Sequence, residues 1–165
     1  MQEIKKKICL LGDPAVGKTS LIRRFVYDIF ENKYASTIGT KVTKKSISID
    51  EKKVTLLIWD IMGQKYQDEL SMHYYRGAEG ALVVCDVTLA STLRSIDSWV
   101  KAINAVIPRL PIVFLGNKCD LRMDKFFEIE LLSLAGKYGC KYYLTSAKTG
   151  ENVQEAFLSL AKELL

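Results

Sequence analysis

The sequence predicts an α/β fold: a phosphate-loop three-layer sandwich whose mainly parallel six-stranded sheet gains one antiparallel edge strand from a hairpin. Three observations carry this reading. Apolar runs alternate with helical patterns along all 165 residues, the order that builds a parallel sheet covered on both faces. Leu82-Val83-Val84-Cys85 and Ile112-Val113-Phe114-Leu115 are unbroken apolar runs, as doubly covered central strands require. Gly12-Asp13-Pro14-Ala15-Val16-Gly17-Lys18-Thr19 matches Gly-x4-Gly-Lys-[Ser/Thr] between an apolar run and a helical pattern.

The first strand, 4–11, ends in Ile8-Cys9-Leu10-Leu11, and the first helix, 17–30, carries Leu21, Ile22, Phe25 and Val26 at helical spacing. Strands 41–49 and 53–59 are joined through Asp50-Glu51-Lys52-Lys53, too short a link for anything but an antiparallel hairpin. Beyond it the reading is helix 66–76, strand 80–86, helix 91–106, strand 111–116, helix 125–138, strand 141–145 and helix 151–164. Trp99, at helical spacing, reads as a packing anchor, and His73, the only histidine, as a surface residue. No repeat, low-complexity segment or linker interrupts the pattern, so residues 1–165 are expected to form one domain.

A hydrophobic content of 48% and a charged content of 26% suit a soluble globular protein. No apolar stretch approaches a membrane span, and Met1-Gln2-Glu3-Ile4-Lys5-Lys6-Lys7 lacks a signal-peptide core. Cys9, Cys85, Cys119 and Cys140 lack metal or redox spacing and read as reduced thiols of a cytoplasmic core. Residues 1–65 hold thirteen Lys or Arg against seven Asp or Glu, whereas 66–165 hold eleven against twelve. Lys41, Lys44, Lys45, Lys52 and Lys53 concentrate that excess on the hairpin, where lysines discourage edge pairing and also attract acidic surfaces.

The glycines of 12–19 let successive backbone N–H groups curl toward an anion, and the N-terminus of the next helix adds partial positive charge there. Lys18 has the reach for terminal phosphates and Thr19 a hydroxyl for Mg2+. The segment therefore predicts a nucleoside-triphosphate site. Open α/β sheets bind ligands at the carboxyl ends of their strands. Three further motifs fall there: Trp59-Asp60-Ile61-Met62-Gly63-Gln64, Asn117-Lys118-Cys119-Asp120 and Thr145-Ser146-Ala147-Lys148.

Together with Thr37, these motifs stand in the order and approximate spacing of the Ras superfamily of small GTPases, which the chain resembles over essentially its whole length. Ser36-Thr37-Ile38-Gly39, Tyr74-Tyr75-Arg76-Gly77-Ala78, Asp86-Val87-Thr88 and residues 145–150 resemble its Rab branch. The resemblance implies GTP and GDP as ligands, with Mg2+. Asp13, Pro14, Ala15, Val16, Gly17, Lys18, Thr19 and Ser20 would cradle the phosphates. Phe30 would stack beside the base, while Thr37 and Gly63 would sense the terminal phosphate. Asn117, Lys118, Asp120, Ser146, Ala147 and Lys148 would read guanine, with Asp120 accepting from the ring N–H and exocyclic amine that adenine cannot pair. Thr19, Thr37 and Asp60 would serve the metal, and an Asp60 carboxylate ending a buried strand needs such a counter-charge. Gln64 would orient the attacking water and Lys18 stabilise the developing charge, making them the catalytic pair.

Segments of about 31–41 and 61–76 correspond to the two switches, through which effectors, exchange factors and GTPase-activating proteins would read the bound nucleotide. No nucleic-acid partner is expected, and the chain is expected to be a monomer. Where the family has Asp-Thr-Ala-Gly-Gln-Glu, this chain has Asp60-Ile61-Met62-Gly63-Gln64-Lys65. Pro14 replaces a small residue, and Lys41-Val42 replaces a Rab-like Asp-Phe. Trp59 and Tyr74 match two of the three aromatics that Rab proteins present to effectors. The last residues, Lys162-Glu163-Leu164-Leu165, hold no cysteine for prenylation. The expected location is thus cytoplasmic, with membrane association only indirect or through a tail absent from this sequence. Two readings stay open: a slow GTP-hydrolysing switch, and a guanine-nucleotide-dependent binding scaffold with little hydrolysis, favoured by Met62 and Lys65. A third, an ATPase of another phosphate-loop class, would make the base-reading motif a coincidence.

Overall fold

The computed structural model describes residues 2–31, 40–61 and 69–165. In chain order its elements are β1 (Glu3–Leu11), α1 (Lys18–Tyr27), β2 (Lys41–Ile49), β3 (Lys52–Asp60), α2 (Glu69–Tyr75) and β4 (Gly80–Asp86). They continue with α3 (Ala90–Arg94), α4 (Ile96–Val106), β5 (Ile112–Asn117), α5 (Lys125–Tyr138), β6 (Lys141–Leu144) and α6 (Val153–Glu163). The strands lie in the order β2-β3-β1-β4-β5-β6; β2 runs antiparallel to β3, and all other neighbouring pairs are parallel. The expected three-layer α/β architecture is what the chain adopts.

Two apolar layers follow from the period-two alternation of strand side chains. On one face Cys9, Leu11, Val83, Cys85 and Phe114 pack with Ile96, Trp99, Ile103 and Leu131 of α4 and α5. On the other, Ile8, Leu10, Leu56, Ile58, Val84 and Leu115 pack with Leu21 and Phe25 of α1 and with Phe157 and Leu160 of α6. Phe25 and Phe157 stack with centroids 4.1 Å apart, locking the two helices that flank the loops described below. Such a pair contributes about 0.5–1.5 kcal/mol beyond its area burial.

Several elements end elsewhere than periodicity predicts. The helix expected to reach residue 30 stops at Tyr27, because Asp28 turns left-handed (φ 55°) and its N–H closes on Arg24 O. The hairpin turn is only Asp50-Glu51, both at positive φ, so Lys52 and Lys53 belong to β3. The helix expected over 91–106 divides at Ser95, whose hydroxyl donates to Ser91 O at 3.1 Å. That side-chain bond competes with the helical ladder and bends it. Of the expected helix 66–76, residues 66–68 lie outside the described residues. Only Cys9 and Cys85 belong to the core; Cys119 and Cys140 are half-buried, which corrects the reading of four core thiols. His73 is exposed, as expected.

Candidate nucleotide site

The chain reverses its lateral direction at β1, with β3 on one side and β4 on the other, and the 12–17 loop leaves β1 at that crevice. Gly12 (φ 149°) approaches the neighbouring strand so closely that a Cβ would stand 2.3 Å from Val84 O. Gly17 (φ 102°) forms the N-cap of α1, and a Cβ there would meet the Asn117 amide at 2.3 Å. The two glycines are therefore required by packing as well as by loop curvature. Val16 turns its side chain into the core, so only its backbone is left to serve a ligand. Pro14 and Ala15 are exposed, and Ser20 is half-buried on α1.

Lys18 is buried, its Nζ donating to Gly12 O at 2.9 Å and Asp13 O at 3.1 Å. Burial pulls the ammonium pKa down to about 8, against the opposing charges of Asp60 and Asp13. A desolvated cation ringed by loop backbone is suited to an anionic ligand. Beside it, Thr19 Oγ1 donates to Asp60 Oδ2 at 2.5 Å, and Asp60 is 2% exposed. A hydroxyl and a carboxylate next to each other are hard oxygen donors of the kind Mg2+ takes, so these residues fit that ion. Thr37, Gly63 and Gln64, with Met62 and Lys65, lie outside the described residues, as do the rest of 32–39 and 62–68 of the two expected switch segments.

The loops after β5 and β6 are tied to the first one through Asn117. Its buried amide donates to Val16 O at 2.9 Å, and its oxygen accepts from Thr145 Oγ1 at 3.1 Å. Lys118, at φ 68°, reaches back across the loops; its Nζ donates to Ala15 O and pairs with Asp86 Oδ2, both at 2.9 Å. The exposed Asp120 carboxylate accepts from the buried Ser146 hydroxyl at 2.7 Å, which fixes its direction. Ser146 Oγ in turn accepts from Thr149 N at 3.0 Å. Ala147 is buried and Lys148 exposed. Phe30 is half-buried against the α1–α6 core layer, near the start of the first undescribed segment. Cys119, between Lys118 and Asp120, bonds Glu151; burial first, then that carboxylate, pushes its thiol up to about 12 and keeps it protonated.

Four contributors were not assigned these contacts from the sequence. Asp86 anchors Lys118 and accepts from Thr88 N at 2.9 Å and Thr88 Oγ1 at 2.6 Å. Thr145 orients Asn117. Arg24 donates to Ala147 O at 2.8 Å and Lys148 O at 2.6 Å, holding that loop onto α1. Trp99 packs as expected and also donates its indole N–H to Asp13 Oδ1 at 2.9 Å. Asp86 carried a usable signal, a carboxylate closing a seven-residue buried strand. Nothing in local spacing distinguishes Arg24 from a surface arginine.

The description "Ras family" belongs to the family model that matches residues 7–165. "Ras-related protein Rab-13" of Canis lupus familiaris is 40% identical over 164 residues, covering 96% of this chain and 79% of that protein. "GTP-binding protein ypt5" of Schizosaccharomyces pombe is 41% identical over 165 residues, with coverages of 98% and 78%. "Ras-related protein Rab-8B" of Homo sapiens is 38% identical over 161 residues, with coverages of 96% and 78%.

Proposed function

This chain belongs to the Ras family and is Rab-like within it, and from that premise we propose a guanine-nucleotide switch that hydrolyses GTP to GDP slowly. The observation that carries the proposal is the junction at Asn117. One buried side chain joins the phosphate loop at Val16 to the loop at Thr145. Asp120 is held by Ser146 on the same side of the sheet, an acceptor with two oxygens for the paired donors of guanine. Phosphate cradle and base reader are thus linked through hydrogen bonds between loops.

In this reading Lys18 and the loop amides receive the β- and γ-phosphates, and Gln64 directs a water in line at the terminal phosphorus. Thr19 and Asp60, joined by Thr37, hold Mg2+, which supplies charge neutralisation at the phosphates when bound. Arg24 is engaged in holding backbone and among the described residues no arginine is evidently placed as a finger in cis, so unassisted turnover should be on the order of 10^-4 to 10^-3 per second. Phosphate loss would release segments 31–41 and 61–76 and so change what effectors, exchange factors and GTPase-activating proteins meet. We further assign residues 1–165 to one domain, monomeric and cytoplasmic or peripheral to a membrane. Among the described residues no helix is long and apolar enough to cross one.

Competition of GTP, GDP and ATP against a fluorescent GDP tests the assignment: guanine nucleotides should displace it and ATP should not. Equal displacement by ATP would return the site to another phosphate-loop class. The scaffold reading, favoured by Met62 and Lys65, predicts normal binding without single-turnover hydrolysis.

A further inference from the structure

Asp13 places a carboxylate inside a loop otherwise collected for an anion. The backbone N–H groups of 12–17, all but Pro14, and the buried Lys18 ammonium favour negative charge from a ligand, and a second negative charge turned toward them would compete with it. Lys18 meets Asp13 at the carbonyl oxygen, 3.1 Å away. The carboxylate instead accepts the Trp99 indole N–H at 2.9 Å. That bond spans 86 positions of sequence and joins the loop after β1 to the first turn of α4.

Trp99 is 1% exposed and packed among Leu93, Ile96 and Ile103. An indole N–H only donates, and when buried it needs an acceptor. Core packing alone would be served by Phe, which has no N–H to satisfy. Packing holds the indole rigidly, so the direction of its N–H is set by the core and the Asp13 side chain has to come to it. Asp13 itself is only half-buried and stands next to the exposed Pro14; without this donor its carboxylate has rotamer freedom at the mouth of the loop.

We propose that Trp99 is a positioning residue for nucleotide binding: its indole N–H holds the Asp13 carboxylate against α4, keeping that negative charge from turning further into the loop where polyphosphate would sit. The inference rests on the nucleotide-binding reading above. Coupling also runs in reverse: a phosphate in the loop would repel a free Asp13 carboxylate toward the indole and strengthen the bond.

The test is the rate of fluorescent-GDP release from the Mg2+-loaded chain in a double-mutant cycle. Trp99→Phe keeps the aromatic packing and removes the donor; release should accelerate about tenfold or more. In an Asp13→Ala background, where no carboxylate remains to be held, Trp99→Phe should change release by less than about twofold. A packing role predicts the same factor in both backgrounds, and that result, or no acceleration by Trp99→Phe, overturns the proposal. If Trp99→Phe fails to fold, the bond is read by NMR in the Trp59→Phe chain. Adding Asp13→Ala should move the one indole N–H resonance upfield and speed its exchange; an unmoved resonance also overturns it. Failure of the parent chain to bind GDP would count against the nucleotide site itself, a result distinct from an additive cycle.

Discussion

At the carboxyl ends of the parallel strands, polar side chains are spent on other loops: Asn117 on Val16 and Thr145, Lys118 on Ala15 and Asp86, Arg24 on Ala147 and Lys148. Along the β2–β3 hairpin the same sheet is dressed differently. Lys41, Lys44, Lys52 and Lys53 are exposed, with only Lys45 half-buried near the Phe25 ring. Val42 sits opposite Trp59 in register, and Trp59 lies 6.0 Å from the Tyr74 ring. Lys7 closes this face from the side, its Nζ 3.8 Å above the Trp59 ring and donating to the carbonyls of Tyr74 and Arg76 at 2.7 Å each. The first region is cross-linked, so one substitution disturbs several loops. The second is additive at Lys41, Lys44, Lys52 and Lys53, because each of these side chains is exposed to solvent. Large, specific losses should therefore come from the nucleotide end and small, salt-sensitive ones from the hairpin.

The largest effect is expected at Asp120, the member proposed to read the base. Asp120→Ala should weaken GTP and GDP binding on the order of 10^3-fold or more, and Asp120→Asn should shift preference toward xanthine nucleotides. Unchanged GTP affinity in both would remove Asp120 from the site. Next comes the proposed metal pair. Thr19→Asn should speed GDP release roughly 10–100-fold, and chelation of Mg2+ should do the same to the parent chain but add little to the variant. Release indifferent to chelator would mean that Thr19 and Asp60 do not hold the metal.

Legibility followed the same division. The phosphate-loop motif, Asn117-Lys118-x-Asp120 and Ser146 could be proposed from sequence because backbone geometry ties their residue types to fixed local spacing. Alternation of apolar runs likewise gave the layers, since period two and period 3.6 are local properties. What escaped was lateral. Trp99 meets Asp13 across 86 positions and Arg24 meets Ala147 across 123, contacts that exist only once the strand order brings those loops together. Gly17 was legible as a phosphate-loop glycine, yet the Asn117 amide 2.3 Å from its absent Cβ is a second constraint that no motif expresses. Element ends slipped where a side chain overrode periodicity, as at Ser95.

Met62 stands two positions before Gln64 in the sequence, where the family carries an alanine. If its side chain packs away from Gln64, Met62→Ala should leave single-turnover hydrolysis nearly unchanged, while Gln64→Leu abolishes most of it. If it occupies the space Gln64 needs, Met62→Ala should raise the rate about tenfold, equivalent to roughly 1.4 kcal/mol of barrier. The retained Gly63-Gln64 pair favours the first outcome. Hydrolysis insensitive to Gln64→Leu would remove the catalytic role assigned to that residue in either case.

The smallest effects belong to the hairpin, and they test its additivity directly. Lys41 and Val42 are exposed where Rab relatives would carry an acid and an aromatic, and Lys44 extends the positive charge along the edge strand. A partner suited to this edge presents acidic residues, and one built for an acid and a Phe should bind poorly. Exposed charge pairs contribute about 0.2–1 kcal/mol each, so Lys41→Asp should weaken the true partner by less than about tenfold, and Lys41→Asp with Lys44→Asp by roughly the product of the single effects. Because the charges are solvated, binding should fall as salt rises from 50 to 300 mM, as screening requires. Val42→Phe with Lys41→Asp should instead improve binding of a standard Rab effector, the aromatic extending the Trp59–Tyr74 surface. Partner binding indifferent to salt, or effector binding indifferent to both substitutions, would show that this face does not choose partners through these residues.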